Sequence, residues 1–475
     1  MPVQANATVM NTDEQNRSDR RGTSRRAGKR RLPRWRRWLR RTLRTTGLIL
    51  LVLVVATWWK VLRIEEDPSW PPPPDAVTSA EAREATVAFL QRDDPSIEDL
   101  AIPLAPTTVS SVSFYSGGAQ FFPPMLEDMA AAESSIHILM FTMTPGEVAD
   151  DVVDVLTERA RAGVEVRMIV DRYGAKVTGK SKGLFERLRA AGVEVVVNDI
   201  FPIDRDGPFM DGSIDWSQDE VGNADHRKIV VVDGQVGWIG GAGFEDHFVD
   251  GRYHDTFARL TGGILRQMQL VFLTSFHALG GPQPEDTSLE RYFPPPIDAG
   301  TIPATLLHNV PGGFVPGTQA IREVIERTDE RLEILNPYLI DGGMIDRIVD
   351  AGERGVDVTL VGPGASNVPQ AQAALHHNYP RLFDVGVEGY EYETIIHAKV
   401  IVADDTVVIG TINLDAWALY RNHEIAVMIE DPALADEASA VMVEDVLSRS
   451  EPVVLEGGLW NDVKNWFWDK FVYVL

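Results

Sequence analysis

The sequence predicts an α/β fold built from a duplicated domain, giving two lobes that are each a mixed, mostly parallel sheet flanked by helices. From about Ser79 onward, helical patterns alternate with short Val- and Ile-rich runs, which is typical of β-α-β units. Glycines placed to end a helix before a strand begins recur in both halves. The corresponding pairs are Gly163 with Gly355 and Gly192 with Gly386, which lie 192 and 194 residues apart. This spacing indicates an internal repeat.

Length and composition are consistent with two domains plus appendages, because 475 residues exceed one ordinary core of roughly 150 residues. The chain has no cysteine, which excludes disulfides, thiolate metal sites and a cysteine nucleophile. The net charge of −25 is unevenly distributed: residues 1–64 carry about +13 and the remainder about −38. An acidic body repels polyanions, so we expect no nucleic acid as a partner.

The N-terminal segment has the order of a membrane signal. An arginine-rich run from Arg17 to Arg44 precedes an uncharged, apolar stretch from Gly47 to Trp59. A retained anchor and a cleaved signal peptide are the two interpretations of this pattern. By the positive-inside rule, the anchor predicts a protein of the cell membrane with a single N-terminal span and its catalytic body on the extracytoplasmic side.

These patterns predict the following division of the chain. The segments are a basic cytoplasmic leader (1–45), a membrane anchor (46–64), a Pro-rich acidic linker (65–80), a first lobe (81–290), a second lobe (291–450) and an aromatic amphipathic tail (451–475). The tail is expected either to lie at a membrane interface or to pack on the body. The first lobe also carries an acidic insert, roughly Asp199 to Val221, for which we expect a lid or rim over the site, the alternative being a solvated surface excursion.

One motif of the form H-x-K-x-x-x-x-D occurs in each half. Its residues are His226, Lys228 and Asp233 in the first half and His397, Lys399 and Asp404 in the second. Side chains at i and i+2 of a strand project from one face, so each histidine and its lysine point the same way. The aspartate falls at the turn where the strand reverses. Two complete copies at equivalent places of a duplicated domain predict one shared active site.

The residue types of this motif suit phosphodiester transfer. One imidazole can attack phosphorus to form a phospho-histidine, and a second imidazole can protonate the leaving alkoxide. Two ammonium groups can hold the non-bridging oxygens. Because the lysines supply the positive charge, this scheme predicts neither a metal nor a cofactor.

At these residues the sequence resembles the phospholipase D superfamily, and within it the bacterial cardiolipin synthases. The resemblance runs from about Ser113 to Asp431. Besides the two motifs, it rests on the phrases Glu158–Val166, Asn336–Tyr338, Tyr379-Pro380, Tyr390–Tyr392, Gly410–Asp415 and Asn422–Glu424. The last two phrases are similar to the synthase pattern G-[ST]-x-N-x-D followed by N-x-E.

The resemblance implies two α/β lobes related by a pseudo-twofold axis, with the site between them. It makes His226 the nucleophile and His397 the general acid and then the general base. It implies that Lys228, Lys399 and Asn413 bind phosphate, and that the motif aspartates stabilise loops. The positions expected to bind phosphate or support the site are Gly241, Thr411, Asn413 and Glu424.

Two further positions follow from the same resemblance. Gly243 stands where the family usually places an asparagine, so the first half is expected to lack one phosphate ligand. His254-Asp255 resembles the family's W-x-D segment and is expected to be structural support behind the first lobe.

The function expected from the sequence is phosphatidyl transfer, with cardiolipin made from phosphatidylglycerol. The expected partners are a phospholipid substrate and the membrane, and the oligomeric state is left open. A hydrolytic phospholipase D differs only in letting water complete the second step. A nuclease of the same superfamily is disfavoured by the acidic body, and a silent scaffold by the presence of both His and Lys pairs.

Overall fold

The computed structural model describes residues 100–102, 104–198, 224–282, 291–311, 314–455 and 457–470. In the first half the elements are β1 (Thr107–Val109), β2 (Ser111–Ser116), α1 (Gly118–Ala130), β3 (Ser135–Met140), α2 (Glu147–Arg161), β4 (Glu165–Asp171), α3 (Arg172–Ala175), α4 (Lys182–Ala190), β5 (Glu194–Asn198), β6 (Lys228–Val232), β7 (Val236–Gly240), β8 (Tyr253–His254), β9 (Thr256–Thr261) and α5 (Leu265–Ala278).

The second half repeats this order with few changes. Its elements are β10 (Ile302–Asn309), α6 (Pro316–Arg327), β11 (Arg331–Leu335), α7 (Gly342–Arg354), β12 (Asp357–Pro363), α8 (Pro369–Phe383), β13 (Glu388–Tyr392), β14 (Ile395–Ile396), β15 (Val400–Ala403), β16 (Thr406–Gly410), α9 (Ala416–Tyr420), β17 (Glu424–Glu430), α10 (Pro432–Ala438), α11 (Glu444–Leu447), β18 (Ser450–Pro452) and α12 (Leu459–Asp469).

Strand order confirms the duplicated α/β fold. The first sheet runs β2-β9-β7-β6-β3-β4-β5, and the second contains the equivalent order β10-β17-β16-β15-β11-β12-β13. In the second sheet β1 and β18 are added at the two edges. Both sheets are mixed: β3, β4 and β5 are parallel, as are β11, β12 and β13, whereas the motif strands β6 and β15 pair antiparallel on both sides.

The predicted helix-ending glycines have the expected backbone conformation. Gly163, Gly192, Gly355 and Gly386 have φ values of 92°, 96°, 90° and 90°. This left-handed region is open to glycine without steric cost, so each helix can stop within one residue and feed the next strand. The internal repeat predicted from the sequence is therefore a repeat of the turns that join a helix to the next strand.

The two sheets face each other across a shared apolar core. Ile229 and Val231 of β6 belong to the same buried cluster as Val400 and Val402 of β15. The residues between them, Val230 and Ile401, point to the opposite faces, where each lobe's own helices cover the sheet. Alternation along the motif strands thus joins the lobes on one side and anchors helices on the other.

The two motif aspartates fix the far ends of the motif strands. Asp233 accepts backbone N–H groups from Glu133, Ser134 and Ser135 at 2.7–2.9 Å. Both aspartates adopt positive φ, 52° for Asp233 and 49° for Asp404. At about 3.3 Å per residue, the seven residues from His226 place the Asp233 carboxylate roughly 20 Å along the chain from the imidazole. These carboxylates hold turns and lie away from the histidines.

The structure corrects the predicted membrane topology. Within the part of the chain that it describes, no helix is both long enough and apolar enough to cross a membrane. This finding contradicts the prediction from charge of a single N-terminal span and an extracytoplasmic body. The leader, the anchor, the linker and the predicted lid, Asp199 to Val221, lie outside the described residues.

The C-terminal helix α12 has one attached side and one exposed side. Asn378 Nδ2 in α8 donates a hydrogen bond of 2.8 Å to Asp469 Oδ1, and Trp468 packs against the second-lobe core. Trp460 and Trp466 are 84% and 52% exposed. Of the two expectations for the tail, packing on the body thus describes one side of α12.

We predict that Asp404→Ala lowers the free energy of unfolding by about 1–3 kcal/mol, because the backbone N–H groups of residues 329–331 lose their acceptor. The adjacent Asp405→Ala is the matched control, since the Asp405 carboxylate accepts only the Thr406 hydroxyl, at 3.2 Å, among the described contacts. We expect a change within about 0.5 kcal/mol there. Urea unfolding of both variants measures the difference, and equal losses would contradict the anchoring role.

Candidate active site

The two motif histidines lie where backbone hydrogen bonds join the two lobes. The N–H of His226 donates to the carbonyl of His423 in the second lobe, at 3.0 Å. The N–H of His397 donates to the carbonyl of His254 in the first lobe, at 2.7 Å, and continues the parallel pairing of β14 with β8. Each histidine is therefore held by backbone of the opposite lobe.

The side chains of the histidines are also held across the lobe boundary. His226 Nδ1 lies 2.9 Å from Glu424 Oε1, a residue of the second lobe. His397 Nδ1 lies 2.7 Å from Asp255 Oδ2, a residue of the first lobe. Both carboxylates are fully buried. The lobes thus exchange carboxylates, and the site is complete only when both are present.

The motif lysines are buried beside their histidines. Lys228 Nζ donates to the carbonyl oxygen of His226 at 2.5 Å and lies 4.9 Å from the centre of the Phe141 ring. Lys399 Nζ donates to the carbonyl oxygen of His397 and lies 2.7 Å from Nδ1 and 3.1 Å from Nε2 of its ring. The Phe141 ring also meets His226 edge-on, with centroids 4.8 Å apart. The sequence-predicted His and Lys pairs are brought together as expected of one site.

This geometry suits a reaction in which one imidazole is the nucleophile and the other transfers a proton. An ionised carboxylate only accepts hydrogen bonds, so in that form its contact with Nδ1 favours the tautomer with the proton on Nδ1. Nε2 of that ring then keeps a lone pair for attack on an electrophile or for accepting a proton. Two ammonium groups within the same buried site can neutralise an anionic reacting group.

A comparison with known families agrees with this arrangement. The family model described as "Cardiolipin synthase, PLD-like domain" matches residues 125–257 and 321–446, more than half of the chain. The chain belongs to this family. It is accordingly a phospholipase D-type phosphodiester transferase, which confirms the resemblance inferred from the two motifs.

Curated relatives carry the same family name. The chain is 26% identical over 356 residues to cardiolipin synthase 1 of Staphylococcus epidermidis, covering 72% of this chain and 68% of the relative. It is 26% identical over 411 residues to a cardiolipin synthase of Geobacillus thermodenitrificans, covering 80% and 75%.

A solved structure shares the fold. The crystal structure of phosphatidylserine synthase from Haemophilus influenzae superposes with a TM-score of 0.58 at 14% identity, covering 83% of this chain and 98% of that one. At this identity the likeness supports the two-lobed fold and nothing finer.

Burial and charge set the protonation of this cardiolipin synthase-like site. Burial, assisted by Lys228 and Lys399, lowers the pKa of His226 well below its usual value. Burial and then Lys399 lower the pKa of His397 to about 3. Burial also lowers the pKa of Lys228 to about 7 and that of Lys399 to about 8. At neutral pH both imidazoles of the free enzyme are therefore neutral, and the lysines lie close to their titration range.

Glu424 is the buried counterpart of these cations. Burial raises the pKa of its carboxyl to about 8, while Lys228 and a hydrogen bond from Thr411 act in the opposite direction. Thr411 Oγ1 donates to Glu424 Oε2 at 2.5 Å and accepts the N–H of Ile425 at 2.9 Å. Thr411 therefore supports the site through Glu424 and is a positioning residue for His226.

Gly241 of the first lobe is equivalent to Thr411 of the second lobe, and its surroundings explain why it is a glycine. A Cβ atom there would come within 2.6 Å of Asp255 Oδ1, so glycine leaves the room that the buried carboxylate occupies. Asn413, the remaining predicted phosphate-binding residue, is 6% exposed, and its Oδ1 has no hydrogen-bond partner among the described residues. Their roles in binding phosphate remain predictions.

Asp255 is the functional residue that the sequence reasoning misplaced. We expected His254-Asp255 to be support behind the first lobe, yet the Asp255 carboxylate contacts the His397 imidazole of the other lobe. The signal that could have found it is internal: His423-Glu424 occupies the matching place in the second half, at the start of the matching strand.

We predict that Asp255→Asn lowers kcat at least about 100-fold with little change in KM, because an amide does not enforce the Nδ1–H tautomer of His397. Steady-state kinetics of the purified chain measures both constants. Asp250→Asn is the matched control, since Asp250 contacts Arg252 on the surface. If kcat of Asp255→Asn stayed within about threefold of the wild type, the positioning role would be wrong.

The lowered lysine pKa values give a pH prediction. A lysine is charged below its pKa, so the positive charge at the site is lost as pH rises through about 7 and 8. We therefore expect kcat/KM to fall on the alkaline side of about pH 8, as the proton shared by this coupled cluster is lost. Circular dichroism over the same range controls for unfolding. A kcat/KM that keeps rising to pH 10 would rule this assignment out.

Proposed function

We propose that the chain transfers a phosphatidyl group through a phosphatidyl-histidine intermediate on His226, making cardiolipin from two molecules of phosphatidylglycerol. The main support is the pair of imidazoles in one site, each positioned by a carboxylate of the other lobe. The names of the curated relatives support the product. The two buried lysines supply the charge that an anionic diester needs.

In the first half-reaction, Nε2 of His226 attacks the phosphorus of one phosphatidylglycerol. The bond from phosphorus to the headgroup oxygen breaks, and His397 gives its proton to that oxygen, so glycerol leaves. His397 takes up this proton when substrate binds, because the anionic phosphate and Asp255 both favour the imidazolium. Lys228 and Lys399 hold the non-bridging oxygens as their charge redistributes.

In the second half-reaction, the now neutral His397 accepts the proton of a glycerol hydroxyl on a second phosphatidylglycerol. The hydroxyl oxygen attacks phosphorus, the phosphorus–nitrogen bond to His226 breaks, and cardiolipin leaves. The same ring acts as acid in one direction and base in the other, as microscopic reversibility requires. Water in place of the second lipid would give phosphatidic acid, which is the hydrolytic alternative.

The proposal predicts a covalent adduct at one histidine. Incubation with phosphatidylglycerol followed by rapid denaturation and peptide mass spectrometry should find a phosphatidyl group on the peptide containing His226. His226→Ala should give no adduct and no cardiolipin, with turnover down at least about 100-fold. Lipid analysis of the wild-type reaction separates the products: cardiolipin with glycerol supports transfer, and phosphatidic acid alone supports hydrolysis.

His376→Ala is a matched control, because His376 pairs with Glu391 on the second lobe and belongs to neither motif. Its turnover should equal that of the wild type. An adduct on His397, or retention of more than about a tenth of the activity by His226→Ala, would contradict the assigned roles.

A further inference from the structure

The two lobes differ at one position of the repeat that faces the site. Asn413 stands three residues beyond the end of β16, and Gly243 stands three residues beyond the end of β7. The second lobe therefore offers an amide at this place, and the first lobe offers no side chain. This leaves one side of the reacting group without the amide that is present on the other side.

The space beside Gly243 is filled by a hydroxyl from another strand. A Cβ atom on residue 243 would lie 1.7 Å from Thr142 Oγ1, closer than any real contact. The Thr142 hydroxyl thus occupies the place where a side chain of residue 243 would begin. Glycine at 243 and threonine at 142 are sterically coupled, since any larger residue at 243 would displace the hydroxyl.

The register of the sheets shows which residue of the second lobe is equivalent to Thr142. Leu139 pairs with Ile229 in the first lobe and Leu335 pairs with Val400 in the second, and both partners directly follow the motif lysine. Thr142 and Tyr338, each three residues farther on, are therefore equivalent. The Tyr338 hydroxyl donates a hydrogen bond of 2.7 Å to Asn367 Oδ1. A polar group near the site thus comes from residue 413 in one lobe and from residue 142 in the other.

The Thr142 hydroxyl is placed to bind a ligand. Among the described residues, none exchanges a hydrogen bond with it. The preceding residue, Phe141, lines the site against the His226 ring at 4.8 Å. Two residues before Gly243, the Cβ direction of Gly241 points at the Asp255 carboxylate that holds His397. The hydroxyl accordingly lies on the wall of the site formed by residues 241–243.

We propose that Thr142 is the first-lobe donor to a non-bridging oxygen of the transferring phosphate, in the role that the sequence predicts for Asn413 in the second lobe. This inference rests on the proposed phosphatidyl transfer. A hydroxyl carries one donor on a short side chain, whereas an amide carries two donors on a longer one. The phosphate is therefore held by unlike groups on its two sides.

Thr142→Val tests this directly, because valine keeps the shape and removes the hydroxyl. We expect kcat/KM to fall about 10- to 100-fold, since the contact holds the phosphate oxygen in the bound substrate and strengthens as charge develops on that oxygen. Thr142→Ser keeps the hydroxyl and should stay within about threefold of the wild type. Thr157→Val is the matched control: its hydroxyl in α2 is buried without a partner and lies outside the site.

A second experiment places an asparagine amide in the first lobe at the position equivalent to Asn413. Thr142→Gly combined with Gly243→Asn should regain activity that Thr142→Gly alone loses, because the cleared space admits the asparagine. Thr142→Val turning over within about twofold of the wild type, or equal losses in the valine and serine variants, would overturn the proposal. If Thr142→Val does not fold, as judged by thermal unfolding, the paired glycine and asparagine variants decide the outcome.

Binding of inorganic phosphate to the full chain separates this inference from the proposed function. Calorimetric titration should give a Kd raised about 10-fold by Thr142→Val and unchanged by Thr157→Val. If the wild type makes no cardiolipin, the proposed function fails while this binding difference still supports Thr142. If cardiolipin is made and the Kd and kcat of Thr142→Val match the wild type, Thr142 has no such role and the function stands.

Discussion

The exchange of carboxylates between the lobes is the constraint on which the rest of the site depends. Glu424 reaches from the second lobe to His226, and Asp255 reaches from the first lobe to His397. Buried charges are costly unless they are paired, so the lobes must meet in one register to satisfy these groups. The shared apolar core between β6 and β15 provides that register, because the strands that pack there also present the histidines. Packing and catalysis thus use the same two strands.

The fold and half of the site could be predicted from the sequence, because the residue patterns that indicate them are short and occur once in each half. The helix-ending glycines and the two H-x-K motifs are local patterns, and both repeat. The cross-lobe partners are not local: 198 residues separate His226 from Glu424, and 142 separate Asp255 from His397. No local pattern connects residues so far apart, because their contact is created by the docking of two sheets. The single N-terminal span was predicted from charge and hydropathy alone, and the residues on which that prediction rests lie outside the part of the chain that the structure describes.

The shifted pKa values at the site follow from the burial of its ionisable groups. Little water reaches the two lysines, the two histidines and Glu424, so burial moves the pKa of each of these groups toward its neutral form. The free enzyme therefore holds poorly solvated cations in front of neutral imidazoles. An arriving phosphate diester supplies the missing negative charge, and the same burial that lowers the lysine pKa values strengthens their interaction with it. The site gains its full charge pattern only with substrate in place.

The swapped carboxylates also bear on how a two-lobed chain could arise. Two identical single-lobe molecules joined by the same interface would each donate a carboxylate to the other and accept one in return, so the unfused pair already contains a whole site. Fusion of such a pair into one polypeptide needs no inactive intermediate. Once fused, the halves are free to drift apart in sequence, and the glycine at 243 opposite the asparagine at 413 is the kind of divergence that a pair of identical molecules could not have acquired.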